Sequence, residues 1–177
     1  LRGMAIITDM LSLTEKANFY KSEAEKMAEK WLSTAVNEDG TTRLAFDQPH
    51  TFSMKYNMVW DKVWNTGLFT QQFRETELEN NKKHFNKYGL PLDSRADYTK
   101  SDWLVWVASM TDKKEVFEEF IEPLWHTYNE SSSRAPLTDW YDTKSGKMVG
   151  FRHRTVQGGL FIKMLMEILN ANCKMQN

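Results

Sequence analysis

The sequence predicts an all-α domain built of helical hairpins that make up about half of an α/α toroid. Apolar residues recur with helical spacing along the chain, whereas strand signals are scarce. Segments that are apolar on almost every face alternate with amphipathic ones, as expected of inner and outer helices. Short connections alternate with long loops, which is typical of antiparallel neighbours.

Composition limits the classes of partner. The 177 residues are 41% hydrophobic and 27% charged, enough to bury one core. A formal net charge of −1 supplies no basic field for a nucleic acid or an anionic membrane. No apolar run approaches the roughly 18 residues of a membrane-spanning helix. The single cysteine, Cys173, cannot form an internal disulfide and lacks a nearby histidine that would make it a nucleophile.

The first hairpin begins with a helix over about residues 3–11 whose apolar side chains cover most of its surface. Such a helix is expected to be buried all round. Ser12 and Glu15 have the spacing of a capping box, which predicts the start of an amphipathic helix that runs to about residue 36.

The second hairpin pairs an apolar helix over about 54–65 with a charged helix over about 70–87. Gly89 and Pro91 end the charged helix, since glycine supplies a left-handed cap and proline forbids continuation.

The third hairpin pairs an almost continuously apolar helix, about 101–110, with an amphipathic helix capped by Thr111 or Asp112. Pro123 should kink or split that second helix. A last apolar helix over about 155–170 contains Gly158 and Gly159, which predict a close approach to another helix near the toroid axis.

The long loops, about 37–53, 88–100 and 130–154, are expected at one rim together with the N-termini of the apolar helices. Two alternating arms around Lys144, Ser145 and Gly146 predict a small β-hairpin in the third loop. Three and a half hairpins do not close a ring. Residues 1–177 are therefore expected to be a single partial domain, the C-terminal half of a toroid whose N-terminal half precedes them; the alternative is an irregular helical bundle.

Three aspartates are candidate catalytic residues. Asp61 lies between Trp60 and Trp64 in an apolar helix, so its carboxylate must be paired with a cation or face a cavity. Asp93 and Asp102 arrive at the rim and are predicted to form a general acid/base pair, with one member kept protonated by apolar neighbours. A simpler role for Asp102 is to interact with the dipole of its own helix.

Other rim residues are candidates for binding a small-molecule substrate. Trp140 and Tyr141 could stack on a sugar or pin the hairpin to the rim, and Trp140 is the one tryptophan expected to be free for a ligand. The four histidines show no metal-ligand spacing, and no nucleotide-binding motif is present, so neither a metal nor a cofactor is expected. The predicted binding residues are Arg95, Thr99, Lys100, Trp103, Asp139, Trp140 and Tyr141.

The loop sequences resemble the glutaminase A family of fungi and bacteria. The resemblance is carried by residues 56–62 (YNMVWDK), 88–95 (YGLPLDSR), 98–103 (YTKSDW) and 138–146 (TDWYDTKSG). It implies a six-hairpin α/α toroid, the C-terminal portion of a larger secreted or periplasmic protein, and hydrolysis of L-glutamine to L-glutamate and ammonia. No catalytic residues are carried over from the family.

The residues leave two other functions open. No local sequence identifies a nucleophile with its base, as many amide hydrolases require. Carboxylates on an aromatic rim suit glycoside hydrolysis at least as well. The leading hypothesis is a glutaminase-type hydrolase, active in the full-length parent; a carbohydrate-active toroid and a non-catalytic binding half-domain are the alternatives.

Overall fold

The computed structural model describes the backbone of residues 1–175 and the side chains of residues 1–171, so the side chain of Cys173 lies outside the described residues. The fold is helical, as predicted, with a small antiparallel sheet. Its helices are α1 (Arg2–Met10), α2 (Thr14–Ala35), α3 (Val59–Val63), α4 (Gln71–Lys82), α5 (Ser101–Ala108), α6 (Lys114–Glu130) and α7 (Ile162–Met175). Its strands are β1 (Tyr98–Lys100), β2 (Trp140–Asp142) and β3 (Met148–Gly150).

The first hairpin, α1–α2, forms where predicted but is not buried as predicted. In α1 only Ala5 and Thr8 are buried, and Met10 is 80% exposed. An all-apolar helix needs neighbours on several sides, and α1 packs mainly against α2. The predicted capping box is also wrong: Ser12 has a φ of 58°, and α2 begins at Thr14 without a side-chain cap.

The second hairpin is shorter than predicted. A 3-10 turn, Tyr56–Met58, leads into the five residues of α3, because the preceding backbone pairs with the second long loop instead: the Met54 amide donates to Leu92 O at 2.8 Å. The hydroxyl of Thr70 caps α4 by accepting a hydrogen bond from the Phe73 amide at 3.1 Å. Since α4 ends at Lys82, Gly89 lies in a later turn and does not cap the helix.

The third hairpin contains the best-predicted element, α5, and one of the corrections. Helix α6 is continuous through Pro123, so the predicted split is wrong. Phe120 and Leu124 are buried on either side of this proline, and their packing holds the helix together. Neither Thr111 nor Asp112 caps α6, whose N-cap position is Lys113.

The last helical segment begins as a 3-10 helix, Thr155–Phe161, and continues as α7. A Cβ on Gly159 would lie 2.9 Å from Asp102 Cβ, whereas a Cβ on Gly158 would meet nothing within 4 Å. The Trp106 indole N–H donates to Gly159 O at 3.1 Å. The predicted close approach is therefore confirmed at Gly159 and wrong at Gly158.

The three long loops meet at one rim, as predicted. Ser53 of the first loop forms an antiparallel bridge with Asp93 of the second. The second loop joins the third because β1 pairs with β2 in a sheet of order β1-β2-β3. The β2–β3 hairpin was predicted; β1 was not.

The buried apolar cluster lies between Phe52 and Met166. Helices α1 and α2 contribute no member of it among the described residues, and Trp31 of α2 packs only against its edge. No described helix combines the length and the apolar character needed to cross a membrane. The members with 1% exposure or less are Met54, Val59, Leu78, Leu90, Leu104, Val107, Ala108, Met110, Phe120 and Tyr141.

Candidate functional site

Asp102 occupies the first turn of α5, at the rim where the loops meet. The apolar residues that follow it draw the helix into the core, so Asp102 is carried inward and is only 5% exposed. Its Oδ1 atom is buried without a hydrogen-bond partner among the described residues. Burial raises the pKa of Asp102, and the nearby carboxylate of Asp139 raises it further, in the direction expected of an acid held among apolar neighbours.

Asp139 is the carboxyl neighbour of Asp102 and is fully buried. Lys100 Nζ lies 3.2 Å from its Oδ2, and Arg154 binds it through two nitrogens, with Nε 3.1 Å from Oδ1. Burial alone would raise the pKa of Asp139, but the hydrogen bonds from Arg154 and Lys100 hold it below its usual value. Two adjacent acids thus have opposite shifts, an arrangement that divides acid and base roles in many enzymes.

Aromatic rings cover the two cations. Lys100 Nζ lies 4.6 Å from the Trp140 ring centre and 4.3 Å from that of Phe151, and the Arg154 guanidinium lies 3.8 Å above Phe151. Trp140 also stacks on Phe151 at 5.2 Å. The Trp140 ring is therefore half-buried and occupied by its neighbours, so it is not the free ligand platform that the sequence predicted.

Gln157 and Tyr128 complete the group. The Tyr128 hydroxyl donates to Gln157 Oε1 at 3.3 Å, and the Gln157 amide nitrogen is buried without a partner among the described residues. Burial raises the pKa of Tyr128 to about 12, so its hydroxyl remains a donor near neutral pH. We call the set of Lys100, Asp102, Tyr128, Asp139, Arg154 and Gln157 the α5 site.

Sequence reasoning missed three members of the α5 site. Arg154 and Gln157 lie where the last apolar segment begins. Lys100 and Asp102 were predicted as site residues because they lie at the start of an apolar helix, so the same criterion indicates Arg154 and Gln157. Tyr128 follows the buried Phe120 and Leu124 on α6 at helical spacing, which indicates packing, and only the hydrogen bond to Gln157 shows its polar role.

The structure does not bring Asp93 and Asp102 together as the predicted pair. Two guanidinium nitrogens of Arg95, Nε and Nη2, each lie 2.8 Å from an oxygen of Asp93. Burial alone would raise the pKa of Asp93, but this pairing holds it below its usual value. Asp93 and Arg95 line a separate cavity of about 410 Å³ that also contains His84.

Asp61 adopts the ion-paired alternative. Arg74 Nη1 lies 2.9 Å from its Oδ2, the Thr66 hydroxyl donates to Oδ1, and the amides of Leu68 and Phe69 donate to the two oxygens. A carboxylate with four donors has little capacity left for chemistry. Asp61 therefore organises the turn between α3 and α4.

Besides the fully buried Asp139, two more predicted binding residues are inaccessible. Tyr141 is fully buried, and its hydroxyl donates to Tyr88 O at 3.0 Å, so it pins the hairpin to the rim. Thr99, which faces Tyr141 across the sheet, is also fully buried. Neither side chain can contact a substrate in this structure, which corrects their assignment as binding residues.

The remaining tryptophans divide differently from the prediction. Trp103 is half-buried and stacks on Tyr56 with ring centres 4.0 Å apart. Trp64 and Trp125, expected on buried faces, are 59% and 66% exposed. Trp64 follows the end of the shortened α3, which explains why it is not carried into the core.

No group of three or more His, Cys, Asp or Glu side chains in the described part of the chain could hold a metal ion. The charged groups of the α5 site are one free acid and a carboxylate already held by two cations. Such a set suits proton transfer and binding of an anion.

Comparison with known proteins agrees with the resemblance in the loops. The model of the glutaminase A six helical-hairpin domain family matches residues 1–164. The chain is 27% identical to a glutaminase A of Aspergillus oryzae, over 94% of this chain and 25% of the relative. It is also 27% identical to a probable glutaminase of Arthroderma benhamiae, over 94% of this chain and 23% of the relative. The chain thus spans about a quarter of the length of these relatives. Because the family match covers most of its residues, the chain belongs to the glutaminase A six helical-hairpin domain family.

Proposed function

We propose that the α5 site takes part in hydrolysis of the side-chain amide of L-glutamine, giving L-glutamate and ammonia. The observation that carries the proposal is the adjacent pair of acids with opposite pKa shifts, Asp102 raised and Asp139 lowered. The names of the two relatives support the choice of reaction.

The proposed chemistry is a general acid/base hydrolysis centred on Asp102. As a carboxylate, Asp102 accepts a proton from a water molecule, whose oxygen attacks the amide carbon of glutamine. The carbon–nitrogen bond then breaks, and Asp102 returns the proton to the departing nitrogen, which leaves as ammonia. A raised pKa suits both steps, since the group must change protonation state near neutral pH.

Asp139 positions the cations in this scheme. Fully buried and bound by Lys100 and Arg154, it fixes two positive charges beside Asp102. Nη1 of Arg154 has no hydrogen-bond partner among the described residues, and the side chain is 35% exposed. We assign Arg154 to the α-carboxylate of glutamine and Lys100 to the oxygen of the tetrahedral intermediate.

The test is ammonia release from L-glutamine by the full-length parent protein and its Asp102→Asn variant. Loss of one acid/base group is expected to lower kcat by about 100-fold or more. Asp112→Asn, which changes an exposed aspartate paired with Lys62, is the matched control and should keep the wild-type rate. An unchanged rate in Asp102→Asn would remove Asp102 from the mechanism, and no ammonia release from the parent would contradict the proposed reaction.

A row of aromatic rings favours a carbohydrate substrate as the second candidate. Tyr56 stacks on Trp103 at 4.0 Å, and Trp60 packs edge-on against Trp106 at 5.2 Å, next to Asp102. Sugar rings stack on such surfaces, and an acid of raised pKa suits glycoside hydrolysis. A screen of glycans for cleavage separates this candidate from amide hydrolysis. A parent protein that binds but converts neither class would support the third reading, a non-catalytic binding domain.

We also propose that further hairpins of the parent chain complete the ring and that the parent is secreted or periplasmic. The support for the first is that the relatives are about four times as long as the matched region, and for the second the resemblance to the family. Fractionation of the producing cells tests the location; recovery of the parent in the cytoplasm alone would contradict it.

A further inference from the structure

One cavity of the described chain has none of the six members of the α5 site in its lining. It has a volume of about 910 Å³ and runs between α1 and residues 53–69. This volume is in the range of small-molecule sites in proteins, about 300–1,000 Å³. Its apolar lining includes Ile6, Ile7, Trp31, Tyr56, Trp60 and Phe69.

Two aromatic side chains of the cavity wall pack against rings that lie outside its lining. Tyr56 is stacked on Trp103, and Trp60 packs edge-on against Trp106 at 5.2 Å. Trp31 and Phe69, which both line the cavity, pack edge-on with ring centres 5.6 Å apart and the rings at 80°. Because Tyr56 and Trp60 pack on rings outside the lining, their part of the wall is formed before a ligand arrives. Preformed walls reduce the entropic cost of binding.

The charged groups on the cavity are unbalanced in favour of cations. Arg2 and Lys55 line it, as does Asp61, whose charge is already neutralised by Arg74. The Arg2 Nε donates to Thr66 O at 2.7 Å, while its two terminal nitrogens have no hydrogen-bond partner in the described part of the chain. A guanidinium held by one nitrogen presents the others in a fixed direction, which suits a carboxylate.

We propose that this cavity binds an apolar molecule that carries one carboxylate, with its apolar part between the aromatic walls and its carboxylate on Arg2. The charge distinguishes this ligand from an uncharged apolar segment of polypeptide. The site is independent of the proposed amide hydrolysis, because none of the six members of the α5 site lines it.

The first test measures binding of 4-phenylbutyrate to the full-length parent protein by isothermal titration calorimetry. The uncharged analogue 4-phenyl-1-butanol, which has the same apolar part, is titrated in parallel. The carboxylate is expected to bind about tenfold more tightly, since a charge-assisted contact with Arg2 is worth about 1.5 kcal/mol or more. That advantage should shrink as salt is added.

Variants locate the site. Arg2→Gln should weaken binding of 4-phenylbutyrate at least fivefold and leave the affinity for 4-phenyl-1-butanol unchanged. Arg152→Gln, which changes an exposed arginine outside the cavity, is the matched control and should bind as the wild type does. Ile7→Glu adds a negative charge at a residue of the cavity lining, so it should weaken binding of 4-phenylbutyrate. Because Ile7 is 52% exposed, the substitution should not affect folding.

Three outcomes would overturn the proposal. Equal affinity for the two ligands would show that charge is not recognised. Unchanged affinity in both Arg2→Gln and Ile7→Glu would place any binding elsewhere. Absence of binding by either ligand would contradict a small-molecule site in this cavity.

Discussion

Glu77 is a buried acid outside the α5 site, and its protonation affects how α4 meets the first long loop. The side chain is 1% exposed. The Thr42 hydroxyl donates to Oε1 at 2.7 Å, while Oε2 is buried without a partner among the described residues. Burial raises the pKa of Glu77 to about 7, although Thr42 and the nearby Lys55 act in the opposite direction. Glu77 is therefore largely protonated in mildly acidic solution.

This shift predicts a stability that falls as pH rises. The folded state holds the proton of Glu77 more tightly than the unfolded chain does, because its pKa is about 7 when folded and 4.5 when unfolded. Between these two pH values the unfolded chain loses the proton first, so the free energy of unfolding falls as pH rises. The loss reaches about 3 kcal/mol above pH 7, at about 1.4 kcal/mol per pKa unit. Glu77→Gln should remove most of that loss. Urea unfolding at pH 5 and pH 8 measures it.

Glu115→Gln is the control for this experiment, since Glu115 is exposed in the first turn of α6. It should keep the pH dependence of the wild type. An equal fall in stability for the wild type and Glu77→Gln would show that Glu77 does not retain its proton in the folded protein.

For a buried charged residue, the sequence indicated the need for a partner but not which residue supplies it. The position of Asp61 between two tryptophans indicated that its carboxylate needed a partner or a cavity. The identity of that partner, Arg74, depends on the turn between α3 and α4, where Asn65 and Gly67 adopt φ values of 47° and 70°. Such a turn is set by packing at both of its ends, so the sequence alone did not reveal it.

At the scale of elements, α5 and the 3-10 segment before α7 cross at Gly159. A side chain at this position would meet Asp102 on one side and the Trp106 ring on the other, with a Cβ 3.0 Å from the indole nitrogen. The contact thus sets the position of the catalytic candidate through the backbone of a neighbouring element. Gly158, the next residue, has open space around its Cα.

Gly159→Ala is expected to destabilise the protein by about 1–3 kcal/mol, because the added methyl group overpacks this crossing. It should also lower the amide-hydrolysis rate of the parent, since Asp102 must shift. Gly158→Ala adds the same methyl group in open space and should not lose stability. Urea unfolding of the pair measures the difference; equal midpoints for the two variants would contradict the close packing at Gly159.

Elements formed by interactions between residues close in sequence were predicted better than elements that depend on distant residues. Helix α5 was predicted within about two residues because its apolar run is uninterrupted. Strand β1 is only three residues long and owes its conformation to pairing with β2, more than 35 residues away, so no local pattern indicated it. The same non-local pairing places Lys100 and Asp102 near Asp139, so a sequence pattern that linked Asp102 to Asp93 did not indicate this neighbour.

At the scale of the whole molecule, the core is unevenly distributed. All buried members of the apolar cluster among the described residues come from positions 52–166. Helix α2 buries only alanines, and the α1–α2 hairpin meets the rest through a few contacts, chiefly Trp31 with Phe69 and Phe73, and Arg2 with Thr66. Little apolar area therefore holds this hairpin in place.

The α1–α2 hairpin is expected to open before the remainder of the chain unfolds. Hydrogen–deuterium exchange of the 177-residue chain should show lower protection in α1 and α2 than in α5 and α6, and Trp31→Ala should widen the gap. Trp125→Ala, which removes a ring that is 66% exposed on α6, is the control and should leave the exchange of α1 and α2 unchanged. Equal protection across all four helices would contradict this prediction.

The order of hairpins and the crowding of the loops at one rim could be predicted because alternating connection lengths determine both. The exposure of α1 could not be predicted. An apolar pattern indicates that a helix needs packing partners, but it does not indicate which part of the chain supplies them. Met10 and Ile7 show this limit, since their pattern predicted burial and both are exposed.

The pairing of β1 with β2 also bears on the order in which the protein folds. Lys100 pairs with Trp140 across the entire α5–α6 hairpin, so the sheet closes a long loop of chain whose closure carries a large entropic cost. Docking α5 against α6 brings the loop ends together and removes most of that cost. The strands should accordingly pair late, after the two helices have formed, and the acids of the α5 site meet only in that final step.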